Sequence, residues 1–536
     1  MVEEWNSILE NRTFKAFIEE VEVGPVGTKL AEGLMTPIAG PVTAKPIGSK
    51  WVYKTKTNPD GTVRFKSRLV IRGFQQVEGI DYDETYAPVS KLTSFRMLIS
   101  LAAHYGWVID HLDVVTAFLN PKIDRDNVYM HLPPGMEWLD SRFTAFAVVL
   151  LLKALYGLKQ APRLWYEAIN RFLLSIGLQQ SATDPNLYIG PGVLLLLYVD
   201  DILLAHVTPN GGDPIKQRLL GEYKMTDLGR ARRFLGVEIS QTNSGISLCQ
   251  QEYVQKILRR FRMENSYDAL CPMDPNVRLG NLTCEDKQVT DPKRYLSMVG
   301  SLMYAALGTR PDLSYCVTAL SRYNSAPLQM HLTAAKRALR YLKRTSGYRL
   351  YYSRRVEEAS QATRPRVQGF TDSDWAGNEL TRKSVGGCIF FAGPQDDATG
   401  PQPVSGAVHW QSRTQSVVAL STLEAEYIAC SDAVREALWL QRLLEDMALS
   451  TGLHRDSQPV LIGCDNQGAL KLIETGVSKQ KTKHIDVKYH HIRDEESKGS
   501  IRYHYVRSTD NPADLLTKAL ATPCHGVLVG LVGLQP

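Results

Sequence analysis

VLLLLYVDDILLAHV, residues 193–207, is the stretch whose reading decides the fold. It is an apolar run with two adjacent acids, Asp200 and Asp201, at its middle. A continuous apolar run of this length reads as strand buried on both faces. An ionised carboxylate cannot stay unpaired in such a place, because taking it out of water costs several kcal/mol or more. The acids therefore belong where the strand surfaces into a turn, with Val193–Tyr198 as one arm of a hairpin and Ile202–Val207 as the other. A carboxylate pair at such a turn suits a hard cation such as Mg²⁺. A charged hairpin tip is the bland alternative, and the rest of the chain has to decide.

At 536 residues the chain exceeds one core, and roughly two to four domains are expected. A hydrophobic content of 44% with 22% charged residues is that of a globular protein. The start, MVEEWNSILENR, is polar and acidic, so no signal peptide is read there. The two longest apolar runs are interrupted by Lys153 and by the acid pair, so no membrane span is expected. Eight cysteines are scattered singly without a CxxC pair. That spacing argues against a zinc module or a disulfide framework and suits a reducing intracellular compartment. The net charge of +6 permits a polyanionic partner without requiring one.

Residues 1–45 read as an N-terminal extension: an acidic helix over Glu3–Glu20, then a Gly/Pro-rich connector. Trp51–Thr57 and Val63–Ile71, around an Asn58-Pro59-Asp60-Gly61 turn, read as a basic hairpin. It suits a phosphate-rich ligand or, equally, a solvated face. A helix over Leu92–Tyr105 leads into VIDHLDVVTAFLN, where Asp113 closes a short strand. A lone Asp there is most simply a cap. It gains interest because a pair of metal ions about 4 Å apart needs a carboxylate beyond Asp200 and Asp201. A helix at Pro162–Leu174, a basic helix near 250–266 and a polar linker at 268–291 follow. Helices then run from Tyr295 to Thr345. Past the polar stretch 353–366, acids again close apolar segments: Asp372 and Asp374, then Asp465, with Glu424 and Glu426 on a long helix (Leu420–Met447) and Asp514 on a short one. The C-terminal 521–536 reads as a tail.

Many collinear stretches now resemble one family. They include SKWVYKTKTNPDGTVRFKSRLVIRGFQQ, LDVVTAFLN, LYGLKQAPRLWY, YVDDILL, MTDLGRARRFLGVEI, TDSDWAG, STLEAEYIA, CDNQGAL and NPADLLTK. Across residues 45–520 the chain resembles the reverse transcriptase–ribonuclease H region of a copia-type long-terminal-repeat retrotransposon Pol polyprotein. The resemblance implies a multidomain α/β (α+β) architecture. Right-hand polymerase fingers and a palm with an antiparallel sheet would occupy 46–290, a helical thumb or connection 291–365, and a ribonuclease H-like domain with a mixed sheet and helices 366–520. It implies an RNA-directed DNA polymerase, a nucleotidyltransferase, that also hydrolyses the RNA of RNA–DNA hybrids. Its partners would be an RNA template, a DNA primer and dNTPs, with no membrane.

Carried over residue by residue, Asp113, Asp200 and Asp201 match the polymerase carboxylates, and Asp372, Glu426, Asp465 and Asp514 those of the nuclease. Each set would hold two Mg²⁺, with Mn²⁺ as the alternative ion. Glu424 competes with Glu426, which is preferred on its acid-then-apolar spacing. Phe118 matches the residue beneath the sugar, and Tyr198 completes the metal-binding turn. Lys54, Lys66 and Arg68 are candidates for the triphosphate, and Lys159 for the nucleotide pocket. The segment Phe234–Gly236 resembles the strand that grips the primer end. The basic helix Lys479–Arg493, with its histidines, is expected against the hybrid backbone. Reverse transcription of this family in cytoplasmic particles implies an intracellular location, with the nucleus as the alternative.

Capsid, protease and integrase signatures are missing, so a fragment of a longer polyprotein is expected. The apolar segment Thr144–Leu152, Val115 and the unfamiliar tail depart from the family pattern. They keep open a second reading, an inactive relic or a domesticated nucleic-acid-binding protein.

Overall fold

The computed structural model describes residues 1–11, 13–16, 45–57, 62–140, 148–280, 287–354, 365–393, 405–451, 458–475 and 486–536. The Gly/Pro connector, the 58–61 turn, residues 144–147 of the Thr144–Leu152 segment and the 479–485 part of the basic helix lie outside them.

The quoted stretch forms two strands, Val193–Tyr198 and Asp201–His206, paired so that Tyr198 faces Asp201. Only Val199 and Asp200 make the turn, and the second arm begins one residue earlier than expected. These strands sit at the centre of a six-stranded antiparallel sheet. Its order is Met225–Arg230, Val108–Val114, Asp201–His206, Val193–Tyr198, Leu187–Gly190 and Gln179–Gln180. Successive side chains point to opposite faces of a strand. Leu194, Leu196, Leu203 and Ala205 enter one core together with the helix Leu92–Tyr105. Leu195, Leu197, Ile202 and Leu204 enter another, with Trp165 and Ile169 of the helix Ala161–Ser175. Both faces are buried, which is why the run is apolar without alternation.

Ser49–Thr57 and Val63–Ile71 form a separate two-stranded hairpin. Beyond the six-stranded sheet, a five-stranded antiparallel sheet joins Arg233–Phe234, Val237–Thr242, Gly245–Cys249, Arg349–Ser353 and Leu534–Gln535. The helices Gln251–Phe261, Pro292–Gly308, Ser314–Ser321 and Gln329–Arg344 share their own core. A mixed five-stranded sheet follows, in the order Ala407–Thr414, Val385–Gly393, Arg366–Asp374, Val460–Cys464 and Ile501–Tyr505. Its first three strands are antiparallel and its last two join in parallel. The helix Thr422–Ala448 packs on it. The architecture is thus the expected mixed α/β one.

Two expectations are corrected. The acidic helix stops at Glu10, because Phe14–Ala16 is drawn into a strand pairing with Val148–Leu151. The expected tail is structural: the helix Thr522–Leu531 and strand Leu534–Gln535 bury Leu528, Val529 and Leu534. One apolar core runs without a break from the helix Leu92–Tyr105 through the second sheet into the mixed sheet. Chain order changes near residue 365, but packing does not. Among the described residues no helix is long and apolar enough to cross a membrane.

Candidate active sites

The first site is built by strand register. Asp201 and Asp113 are direct cross-strand partners. Like charges facing each other this way repel unless something between them carries positive charge. Asp200 stands in the turn beside them. Val199 holds φ +57 there, a left-handed conformation that a β-branched residue adopts at a cost of about 1–3 kcal/mol. Two outside bonds hold the turn. The buried Trp165 indole Nε1 donates to the Val199 carbonyl at 2.6 Å, and the Val114 N–H donates to the Asp200 carbonyl at 2.8 Å.

Burial, then repulsion from Asp200 and Asp201, raises the Asp113 carboxyl above its ordinary value. Burial, then Asp201, raises Asp200. His111 and Lys66 oppose the shift at Asp113, as Arg68 and Lys66 do at Asp200. The hairpin thus brings Lys66 and Arg68 to the acids. Lys54 faces Lys66 across that hairpin and is exposed. His111 Nε2 lies 2.9 Å from Asp201 Oδ1 and occupies that carboxylate. Sequence reasoning passed over His111, whose sole signal is its position two residues before Asp113 on the same strand face.

Phe118 meets Tyr156 edge-on at 5.4 Å, and the Arg68 guanidinium lies 5.1 Å from the Tyr156 ring centre. Burial pushes the Tyr156 hydroxyl up to about 12, and Asp200 adds to the shift. Tyr156, also missed, links Phe118, Arg68 and Asp200 into one wall. The Lys159 Nζ donates to the Tyr82 hydroxyl at 2.8 Å.

Tyr198 packs edge-on to Phe234 at 6.3 Å. The Phe234–Gly236 segment is a turn rather than a continuous strand, because Leu235 (φ +50) and Gly236 (φ +76) both take the left-handed conformation of a tight hairpin. Tyr304 donates its hydroxyl to the Leu235 carbonyl at 2.8 Å, and a Cβ on Gly236 would meet that hydroxyl at 2.4 Å. Gly236→Ala is therefore expected to lose about 1–2 kcal/mol in a denaturant melt. An unchanged melt would contradict the account of this turn.

The second site gathers acids from four elements. Asp372 lies on the strand Arg366–Asp374 and Asp465 follows the strand Val460–Cys464. These strands are parallel neighbours with Phe370 opposite Gly463, and the two acids stand two residues further along each. Asp514 comes from the turn Pro512–Leu516 and Glu426 from the helix Thr422–Ala448. Oxygens of Asp372, Asp465 and Asp514 lie within 4.8 Å of one another, and Asp465 is also within that distance of Glu426. Glu424 does not join them: its carboxylate accepts the Leu420 N–H at 2.7 Å, capping the helix start. Among the described residues, both groups of three that could hold a metal lie at this second site.

Burial and Asp372 push the Asp514 carboxyl up to about 8 against the pull of Lys518. Burial and Asp372 also hold Glu426 well above the carboxylate range. Lys518 ion-pairs with Asp514 at 2.9 Å and Asp372 at 3.6 Å, and the Thr517 hydroxyl donates to Asp372. Ser508 donates to Asp465 at 2.6 Å. Lys518 escaped the sequence reading, although it lies one helical turn beyond Asp514. Glu426 Oε2 and Asp514 Oδ1 are buried without a hydrogen-bond partner. A close oxygen set with orphaned lone pairs fits a hard divalent cation.

This has a consequence for pH. The folded Asp514 carboxyl sits above its ordinary 3.8, so the folded state holds that proton more tightly. The stability it contributes is complete below the ordinary value and is lost as pH rises towards about 8. A divalent ion must displace the proton. The Mg²⁺-induced rise in melting temperature should therefore be larger at about pH 8.5 than at about pH 6. A pH-independent rise would contradict it.

A family model described as reverse transcriptase (RNA-dependent DNA polymerase) matches residues 35–275. The retrovirus-related Pol polyprotein from transposon TNT 1-94 of Nicotiana tabacum is 36% identical over 539 residues, covering 98% of this chain and 38% of that protein. The putative transposon Ty5-1 protein of Saccharomyces cerevisiae is 34% identical over 333 residues, covering 61% of this chain and 100% of that protein. Among solved structures, the foamy viral protease-reverse transcriptase in complex with RNA/DNA hybrid aligns with 85% of this chain and 50% of that chain, at 14% identity and TM-score 0.46. The chain spans about a third of the length of the plant Pol polyproteins it matches.

Proposed function

Because the chain belongs to the reverse transcriptase family of copia-type retrotransposon Pol polyproteins, we propose that it copies RNA into DNA at the first site and hydrolyses the RNA of the resulting hybrid at the second. The observation that carries this reading is the register pairing Asp113 with Asp201 beside Asp200, together with a separate group around Asp465. Asp113, Asp200 and Asp201 at the first site, and the acids around Asp465 at the second, would hold Mg²⁺, which would supply activation of the attacking hydroxyl or water and offset charge on the leaving oxygen.

The remaining work falls to the chain's own residues. Lys66 and Arg68 offset the negative charge of an incoming dNTP beside Asp113 and Asp200. Phe118, braced by Tyr156, walls the position of the sugar. The Tyr198–Phe234 contact and the Gly236 turn support the primer end. His111 holds one oxygen of Asp201 in place. At the second site Lys518 neutralises Asp372 and Asp514, which keeps a crowded acid group folded. Ser508 fixes one oxygen of Asp465.

The test is primer extension on poly(rA)/oligo(dT) with dTTP and Mg²⁺. Extension is expected. Absence of extension from folded protein that still binds the duplex would leave nucleic-acid binding as the function of this half.

A further inference from the structure

The single spacing of the cysteines argued against a metal-binding role, and the fold changes their company. Cys464 ends the strand Val460–Cys464 and is fully buried. Its Sγ, a Glu426 oxygen and an Asp465 oxygen all lie within 4.8 Å of one another. Asp465 thus belongs to two groups, one all-oxygen with Asp372 and Asp514, the other containing sulfur. Glu426 is only 6% exposed, and its Oε2 has no hydrogen-bond partner. The Asn466 N–H points at Cys464 Sγ at 3.4 Å, a donor that suits a sulfur bound to a cation.

We propose that Cys464, Glu426 and Asp465 form a site for thiophilic divalent cations such as Zn²⁺, overlapping the hybrid-cleavage site and blocking it when filled. The blocking clause rests on the nuclease reading above; the binding clause does not. Mg²⁺ takes oxygen ligands and gains nothing from the sulfur side. Zn²⁺ takes sulfur and carboxylate together, and three protein ligands leave its fourth position for water or a phosphate oxygen. Zn–S and Zn–O bonds near 2.3 and 2.1 Å put tetrahedral ligand atoms about 3.6 Å apart. The set already lies within 4.8 Å, so closing to that spacing needs about 1 Å of movement. The thiol proton leaves to solvent as the metal–sulfur bond forms. An ion placed there takes Asp465 from the all-oxygen group, so filling one site empties the other.

Cobalt(II) titration of the full chain reads the site without catalysis. A thiolate-to-cobalt charge-transfer band is expected, displaced readily by Zn²⁺ and, because the two groups share Asp465, by Mg²⁺ only at far higher concentration. It should be lost in Cys464→Ser and kept in Cys430→Ser, the thiol one helical turn from Glu426. Cys464→Ala repeats the test if the serine variant misfolds. In Mg²⁺-dependent hybrid cleavage, Cys464→Ser should need at least about tenfold more Zn²⁺ for the same inhibition. No band in the folded wild type, or an equal band in Cys464→Ser, overturns the proposal, since the other seven cysteines would then account for any cobalt bound. If cleavage itself is absent, the band still decides the binding clause and the failure belongs to the nuclease reading.

Discussion

Arg96→Met is expected to cost about 3–5 kcal/mol of stability and to weaken both halves of the molecule together. Arg96 is 4% exposed in the helix Leu92–Tyr105, and among the described residues its hydrogen-bond partners are carbonyls. Its Nε donates to the Val408 carbonyl at 2.7 Å, and its Nη1 to those of Leu307 and Gly308 at 2.8 and 3.0 Å. The last two belong to the end of the helix Pro292–Gly308, where unpaired carbonyls and the helix dipole both attract a cation. The guanidinium also lies 3.9 Å from the Trp410 ring centre, and Trp410 in turn donates to the Ala306 carbonyl at 2.9 Å. Burial presses Arg96 down to about 10, which leaves it charged at neutral pH.

One side chain therefore ties three parts of the chain. Methionine keeps the apolar stem and orphans three carbonyls, each at about 1–3 kcal/mol. Lysine keeps the charge but not the planar fork, and should fall between the two. Denaturant melts measure the loss. Heat inactivation of primer extension and of hybrid cleavage should shift together, because the core is continuous. A loss under about 1 kcal/mol, or one confined to a single activity, would contradict this role.

Asp465→Asn should lower hybrid cleavage by about a hundredfold or more, in the range seen when one charge-stabilising group is removed from an active site. Asparagine preserves volume and can still accept from Ser508, so the structural loss is small. What goes is a negative charge shared by both ligand groups. That charge also helps raise Glu426. Removing it relieves repulsion, so without Mg²⁺ the variant should melt at or above the wild type. With Mg²⁺ it should lose most of the wild-type gain. A lower melting temperature in metal-free buffer would mean that Asp465 serves the fold rather than the site.

The acids were legible because they interrupt apolar runs at strand ends, where an unpaired charge has no other reason to be. The alternate burial of Leu194 to Leu197 follows from the same run. What a linear pattern does not carry is which side chains meet. His111, Tyr156 and Lys518 look ordinary until register and packing bring them to the acids. The Lys159–Tyr82 hydrogen bond is likewise invisible in the linear pattern.

The C-terminal segment has a weak amphipathic pattern and reads as a tail. It becomes structure because Leu534 pairs with Leu350, and because Gly533 lets the chain pass Gly406, whose Cα would lie 2.4 Å from an added Cβ. The polar stretch near residue 365 marks a change in sequence pattern. It does not mark a gap in packing, since apolar residues from both sides share one core. The described part of the basic helix begins at Asp486 and ends among Asp494, Glu495 and Glu496, so its charge is more mixed than the Lys-rich approach implied.

The central claim is that one folded chain carries two separate carboxylate sites. It is tested most directly in a single reaction holding an RNA template and a DNA primer, each labelled, with dNTPs and Mg²⁺. Wild-type protein should extend the DNA and cleave the RNA. Asp200→Asn should stop extension while pre-formed hybrid is still cleaved, and Asp465→Asn should stop cleavage while extension continues. Loss of both activities in either folded variant, or of neither, would contradict two independent sites.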